Sequence, residues 1–462
     1  MKNYNTLTIA QAEELLLKHQ PIPGNLYENA ERKVLLYPHD GDGGTIPTTT
    51  PLCIPHLITL MVSPMGCGIH LTETGRGCMH NEGRAWLLRL TEKDIVLGMQ
   101  EQRITQAVNE ILENTTDRVD GILLCATCMD ALLSTDLSAI ARHIERRFHT
   151  RTEAEFMGPF LNDSPKQAEF RMMSAVYRLL RSPNDPAKIP AVNIIGTLEK
   201  PACLPELYHF LRPLGIEDIF CISDFDSIED ADIMTQSKAN IILNAGAQNA
   251  ARYMEKSWKI PGVFMSPSCD VEMISANYDR LSQILGTPIN DSCLRSEVSN
   301  QIKLIAPYLK NYRCGVGGKN NVPCFSAACS LIKLGCDVRI IFAHNITQND
   351  LEEITWLKNK KPNIKIYFDS HPSMYGYRAS ADEFNLSFGV PDPFLCRSEG
   401  ILDAPLLDFC STYSDILDFI ENLKNTISRP VKKSGKTISK YKKCWHYNTT
   451  NEGENDNEGI VP

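Results

Sequence analysis

A thiol set between two glycines, in the loop Ser63-Pro64-Met65-Gly66-Cys67-Gly68, is the first feature able to do unusual chemistry. Flanking glycines let the backbone approach a bulky ligand closely. A thiolate there could ligate iron while neighbouring N–H groups hydrogen-bond to cluster sulfides. A tight turn with an incidental cysteine is the plain alternative. The second feature is Cys125-Ala126-Thr127-Cys128, after the apolar run 121–125 (GILLC) and before a helical stretch. The carboxyl end of a parallel strand is where open α/β sheets place ligands. A helix N-terminus also favours an anionic thiolate. A redox dithiol or a zinc pair uses the same spacing, but no Trp precedes Cys125, and a core Cys125 beside a functional Cys128 is the reading carried forward.

Other residues could extend a ligand set. Cys53 lies 14 residues before Cys67, and Cys78 and His80 lie 11 and 13 residues after it. None of these spacings makes a paired Cys-x₂-Cys zinc ribbon or a ferredoxin run, so a cluster held by cysteines from several loops fits better. Glu92, Asp94 and Asp136 could position those loops or could be ordinary helix caps. The run from Cys314 to Asn320 (CGVGGKN) looks like a phosphate loop, but without the Gly-Lys-Ser/Thr ending it reads as a glycine-rich turn between strand and helix. His371, after an apolar run, reads as a loop histidine. No nucleophile elbow, His-Glu-x-x-His helix or kinase motif set is present.

The elements that must hold these residues alternate. Buried strands are expected at 121–125, 192–195, 219–222, 239–243, 313–316, 338–342 and 365–368. Helices are expected at 129–147, 204–213, 247–258, 292–311, 323–335 and 349–359, with Leu132 and Leu133 on the inner face of the first. Strand and helix in alternation argue for parallel sheets covered on both faces. The pattern restarts twice, which predicts an α/β chain of three Rossmann-like domains. The divisions are an N-terminal arm (1–50) with one helix near 9–18 and no visible core, domains at 51–187, 188–290 and 291–429, and a disordered tail (430–462). A lysine-rich stretch at 430–443 reads as solvated linker.

With 462 residues, 43% of them hydrophobic, the chain has ample material for packed cores. A net charge of −9 leaves no electrostatic footprint for nucleic acid. No run approaches the roughly 18 apolar residues of a membrane span, and the first residues do not read as a secretory signal, so a cytoplasmic protein is expected. Sixteen cysteines in a reducing compartment point to metal binding more than to disulfides.

Taken in order, several segments resemble the nitrogenase component 1 family. Ser63-Pro64-Met65-Gly66-Cys67 resembles its His-Gly-x-x-Gly-Cys ligand loop, without the His. Leu90 to Gly98 (LTEKDIVLG) resembles the acidic segment that follows. Thr127 to Asp136 (TCMDALLSTD) resembles the T-C-x-x-x-x-I-G-D-D turn, with Ser-Thr in place of Gly-Asp. Val192-Asn193-Ile194-Ile195-Gly196 and Lys259-Ile260-Pro261 resemble parts of the second domain, and Gly315 to Val338 the start of the third. The resemblance covers about residues 50–425.

What the resemblance implies is an oxidoreductase subunit with an iron–sulfur cluster, [4Fe-4S] or P-cluster-like. Cys67 and Cys128 would be ligands, flanked by Gly66 and Thr127. Cys53 is a candidate third ligand, closer to the loop than the family's first cysteine. The implied partners are a homologous or identical component 1 chain and an ATP-dependent iron protein. No cysteine stands in the segment 241–249 (IILNAGAQN), so no ligand for a molybdenum–iron-type cofactor is found on this chain. Three functions remain open: a reductase subunit, a cofactor-assembly scaffold of the same fold, and a cluster-free α/β protein that binds a small molecule.

Overall fold

The computed structural model of the chain describes residues 6–25, 54–64, 83–156, 165–183, 187–197, 204–265, 267–319, 322–395, 399–407 and 411–428. A short strand, β1 (Thr6–Thr8), and the helix Ile9–Leu17 come first. Three sheets follow. The first holds β2 (Leu57–Ser63), β3 (Ala85–Arg89), β4 (Gly121–Ala126) and β5 (Arg151–Phe156) in the order β3-β2-β4-β5. The second holds β6 (Ala191–Ile195), β7 (Asp218–Cys221), β8 (Ala239–Ile242) and β9 (Gly262–Phe264) in the order β7-β6-β8-β9. The third holds β10 (Arg313–Val316), β11 (Asp337–Ala343), β12 (Lys365–Phe368), β13 (Leu386–Phe388) and β14 (Leu402–Asp403), in the order β1-β12-β11-β10-β13-β14. All pairings are parallel except that of β1 with β12.

The central strands explain this layering. Every residue of β2 and β4 is buried, so both faces of the first sheet need cover. One face packs on Ile104, Val108, Ile140 and Ile144 from its own flanking helices. The other belongs to a core that also contains Ile195, Ile242 and Met254 of the second unit. A further core joins the second sheet to the third through residues such as Ile194, Ile241, Val316 and Ile341. Polar links follow the same seams. Arg151 on β5 donates to both oxygens of Asp232 at 2.7 Å, and the backbone N–H of Arg181 donates to the same carboxylate at 2.7 Å.

Two sequence expectations need correction. The stretch 129–147 is not one helix but two, Cys128–Leu132 and Leu137–Phe148. Ser134 takes a left-handed φ of 57°, and Asp136 accepts from the Ala139 N–H at 2.9 Å to start the second helix. Ser, Thr and Asp compete for backbone partners in this way and so end or begin helices. Leu132 and Leu133 consequently leave the inner face and are 66% and 44% exposed.

The arm also differs from expectation, because its described part enters a core. Ile9, Ala12, Leu16 and Ile22 are buried with residues of the third sheet. Thr6–Thr8 pairs antiparallel with β12. Asn25 donates to the Ile346 carbonyl at 2.6 Å and accepts from the Ile346 N–H at 2.8 Å. Gly24 lies so close to Phe368 that a Cβ there would stand 2.0 Å from the ring. The lysine-rich tail lies outside the described residues.

Two outcomes are expected. Gly24→Ala forces the arm off the Phe368 ring and lowers unfolding free energy by about 1–3 kcal/mol, read by urea denaturation, with faster amide exchange along β1 and β12. Asp232→Ala strands the Arg151 guanidinium and lowers stability by about 2 kcal/mol.

Candidate functional site

The carboxyl end of β4 is the part of the candidate site that lies among the described residues. Here the fully buried strand stops at Ala126, Thr127 takes an extended conformation, and Cys128 opens the short helix Cys128–Leu132. The Cys128 side chain lies outside the described structure, as do Cys53, Gly66, Cys67, Cys78 and His80. What is described is the setting that β4 provides, and it sits one strand away from the end of β2, where Ser63 and Pro64 lead into the Cys67 loop. The register pairs Val62 with Ala126, so the chain leaves both strands at the same level of the sheet.

Cys125 and Thr127 differ sharply in role. Cys125 is fully buried among Leu57, Leu123 and Met172, and burial pushes its thiol well above the usual range. Such a thiol is inert, which argues against a redox pair with Cys128. Thr127 is 5% exposed and its Oγ1 has no hydrogen-bond partner. Asp130, one helical turn on, is completely buried. Its Oδ1 accepts from Thr135 Oγ1 at 3.4 Å, while its Oδ2 has no partner. Burial pushes the Asp130 carboxyl up to about 6, opposed by the Thr135 hydrogen bond. Buried polar atoms are rarely left unpaired, and these two lie within one turn of each other, although others such as Thr59 Oγ1 and Asn277 Nδ2 are also without a partner.

Alongside β5 lies a cavity of about 340 Å³, lined in part by Thr135, Ser138, Glu153, Glu155 and Arg178. Arg178 spans Glu153 at 2.9 Å and Glu155 at 2.7 Å. Burial raises the Glu155 carboxyl, and Arg178 offsets that rise. The wall is therefore charged but internally compensated.

The remaining candidates have structural roles in what is described. Asp94 accepts from the Thr91 backbone N–H at 2.9 Å and pairs with Arg103 at 3.1 Å, and those Thr91 bonds hold its carboxyl below the usual range. Asp136 caps the Leu137–Phe148 helix. The glycine-rich turn after β10 is a backbone device. The Gly317 N–H donates to the Phe388 carbonyl at 2.9 Å, and a Cβ on Gly317 would stand 2.4 Å from the Gly389 oxygen. His371 accepts from the Ser373 N–H through Nδ1 at 3.1 Å and starts a short 3₁₀ turn. Cys221, Cys269, Cys314 and Cys336 are buried. Among the described residues no group of three or more His, Cys, Asp or Glu side chains is arranged to hold a metal ion, and no helix is long and apolar enough to cross a membrane.

Sequence reasoning passed over Asp130. The signal was present in the chain as Thr127-x-x-Asp130, the same pattern that starts helices at Thr91, Thr347 and Thr412.

Comparison with known proteins bears on the fold and the family. The solved structure "Nitrogenase Cp1 at pH 6.5" superposes with a TM-score of 0.65 over 86% of this chain and 93% of that one, at 17% identity. "Nitrogenase Cp1 at pH 5" gives 0.57 over 86% and 90%, at 15% identity. The nitrogenase iron-molybdenum cofactor biosynthesis protein NifE of Rhizobium meliloti (strain 1021) is 23% identical over 337 residues, 68% of each chain. NifE of Bradyrhizobium diazoefficiens is 23% identical over 372 residues, 75% of this chain and 65% of that one. The family model described as nitrogenase component 1 type oxidoreductase matches residues 48–389, and the chain belongs to that family.

Proposed function

We propose that this chain is a cofactor-assembly scaffold of the component 1 type, which holds an iron–sulfur group at Cys67 and Cys128 rather than turning over a substrate. The observation that carries this reading is its likeness over 68% of each chain to a cofactor biosynthesis protein. The lack of a cysteine in the segment 241–249 supports it, since no anchor for a large active-site cofactor stands there. The fit of an iron–sulfur group rests on the two orphaned polar atoms, Thr127 Oγ1 and Asp130 Oδ2, on either side of Cys128. A bound iron–sulfur cluster supplies one-electron chemistry and sulfur atoms that accept hydrogen bonds.

In this reading Gly66 and Gly68 let the Cys67 loop pass close to the group, and β2 and β4 fix the two loops at one level. Cys53, with Cys78 or His80 as rivals, supplies a third ligand, or a homologous or identical partner chain completes the set. The exposed Leu132 and Leu133 beside Cys128 give that partner an apolar surface to cover. The second reading, a reductase subunit fed by an ATP-dependent iron protein, draws support from the component 1 fold it shares with the nitrogenase structures.

Anaerobically purified protein, co-expressed with its partner chain, is expected to carry iron and acid-labile sulfide. Cys67→Ala and Cys128→Ala should each lose most of both while circular dichroism stays unchanged. Folded wild type without iron, even after reconstitution, would overturn the cluster reading. A scaffold should pass its cluster to an acceptor protein and show no sustained turnover with an iron protein and ATP. Sustained turnover would favour the reductase.

A further inference from the structure

Among the described residues, four helices begin with a Thr followed three residues later by Asp or Gln and close a reciprocal capping box. At Thr91 the backbone N–H donates to Asp94 at 2.9 Å and the Asp94 N–H donates back to Thr91 Oγ1 at 3.3 Å. At Thr412 the same two bonds with Asp415 measure 2.9 and 3.3 Å. Thr347 with Asp350, and Thr8 with Gln11, close likewise. This arrangement satisfies two backbone donors at once and is the resting state of the motif.

The helix that starts with Cys128 has the same pattern, Thr127-Cys128-Met129-Asp130, and its box is open. Thr127 makes no side-chain cap bond, and Thr127 Oγ1 and Asp130 Oδ2 are both buried without a partner. Thr127 is 5% exposed and Asp130 0%, so neither side chain lies open to bulk solvent. Leaving two buried polar atoms unpaired is unfavourable, and closing the box would remedy it with groups already one turn apart. Thr135 holds Asp130 through its other oxygen.

We infer that Thr127 and Asp130 are positioning residues for the group held at Cys128, kept out of the capping box so that they face that group. This rests on the cluster reading above and adds two residues and opposite electrical roles to it. The Thr127 hydroxyl donates to a sulfur of the group, which stabilises the reduced, more negative form. The Asp130 carboxylate places a negative charge beside it, which disfavours added electrons. Hydrogen bonds to sulfur and local net charge are the levers that set cluster potentials.

The test uses the full chain with its partner, loaded with cluster, and compares Thr127→Val, Thr127→Ser, Asp130→Asn and Cys128→Ala with wild type. The readouts are iron and sulfide per chain, the EPR spectrum and the midpoint potential. Thr127→Val is expected to keep its iron and shift to a lower potential, with Thr127→Ser restoring the wild-type value. Asp130→Asn, which removes charge and keeps shape, is expected to keep its iron and shift to a higher potential. Cluster-loaded Thr127→Val and Asp130→Asn proteins with wild-type spectra and potentials would overturn the inference while leaving the cluster reading intact. Wild type without iron and sulfide would overturn that reading, and this inference with it.

Discussion

Strand β4 is buried along its whole length, and the organisation of the described structure follows from covering it. One face of its sheet is satisfied locally by helices. The other shares a core with Ile195, Ile242 and Met254, which belong to the second unit. The second sheet has the same need and meets it against the third. Each unit thus completes its burial only by borrowing a neighbour's apolar surface. The three sheets are set by that shared hydrophobic contact, with Arg151, Asp232 and Arg181 registering one seam.

Some polar residues buried among these elements are paired by side chains and carbonyls of neighbouring segments. Asn193 interrupts the apolar run of β6, donates to the Met234 carbonyl and to Asn240 at 2.9 Å, and accepts from Ser237 at 2.7 Å. Glu206 is buried and accepts from Tyr278 at 2.6 Å and from the Tyr413 and Ser414 N–H groups at 3.0 and 2.6 Å, which ties the last described helix to the second unit. Other buried atoms, such as Thr59 Oγ1 and Asn277 Nδ2, are unpaired as well; what marks Thr127 Oγ1 and Asp130 Oδ2 is that they lie within one helical turn of each other.

Much of the fold was legible because the central strands read as continuous apolar runs. The expected strands at 313–316 and 365–368 coincide with β10 and β12, and several helix positions agree to within a few residues. What escaped had no periodic signal. β5 is an edge strand of alternating charge, with Arg151, Glu153 and Glu155 taken up by Asp232 and Arg178, and nothing in its run of residues is continuously apolar. β1 is three residues long and exists through its pairing with β12, more than 350 residues away in sequence. The split of the 129–147 helix was written in Ser134-Thr135-Asp136, but leucines on both sides suggested one continuous face. For the proposed site, Cys67 and Cys128 were singled out by type and spacing, and their side chains lie outside the described residues. Asp130 was not, because a Thr-x-x-Asp box is a routine helix start, and only the structure distinguishes an open box from a closed one.

The pairing of β1 with β12 also bears on how the chain is made. Residues 6–8 have their partner strand near position 365, so this segment must wait, unpaired, while the first two sheets are synthesised and fold. Its apolar residues Ile9, Ala12 and Leu16 are exposed throughout that interval. Contacts this distant in sequence form late and slowly. Closing the arm onto the third sheet is therefore a late step of folding, and the waiting segment is one that a chaperone would recognise.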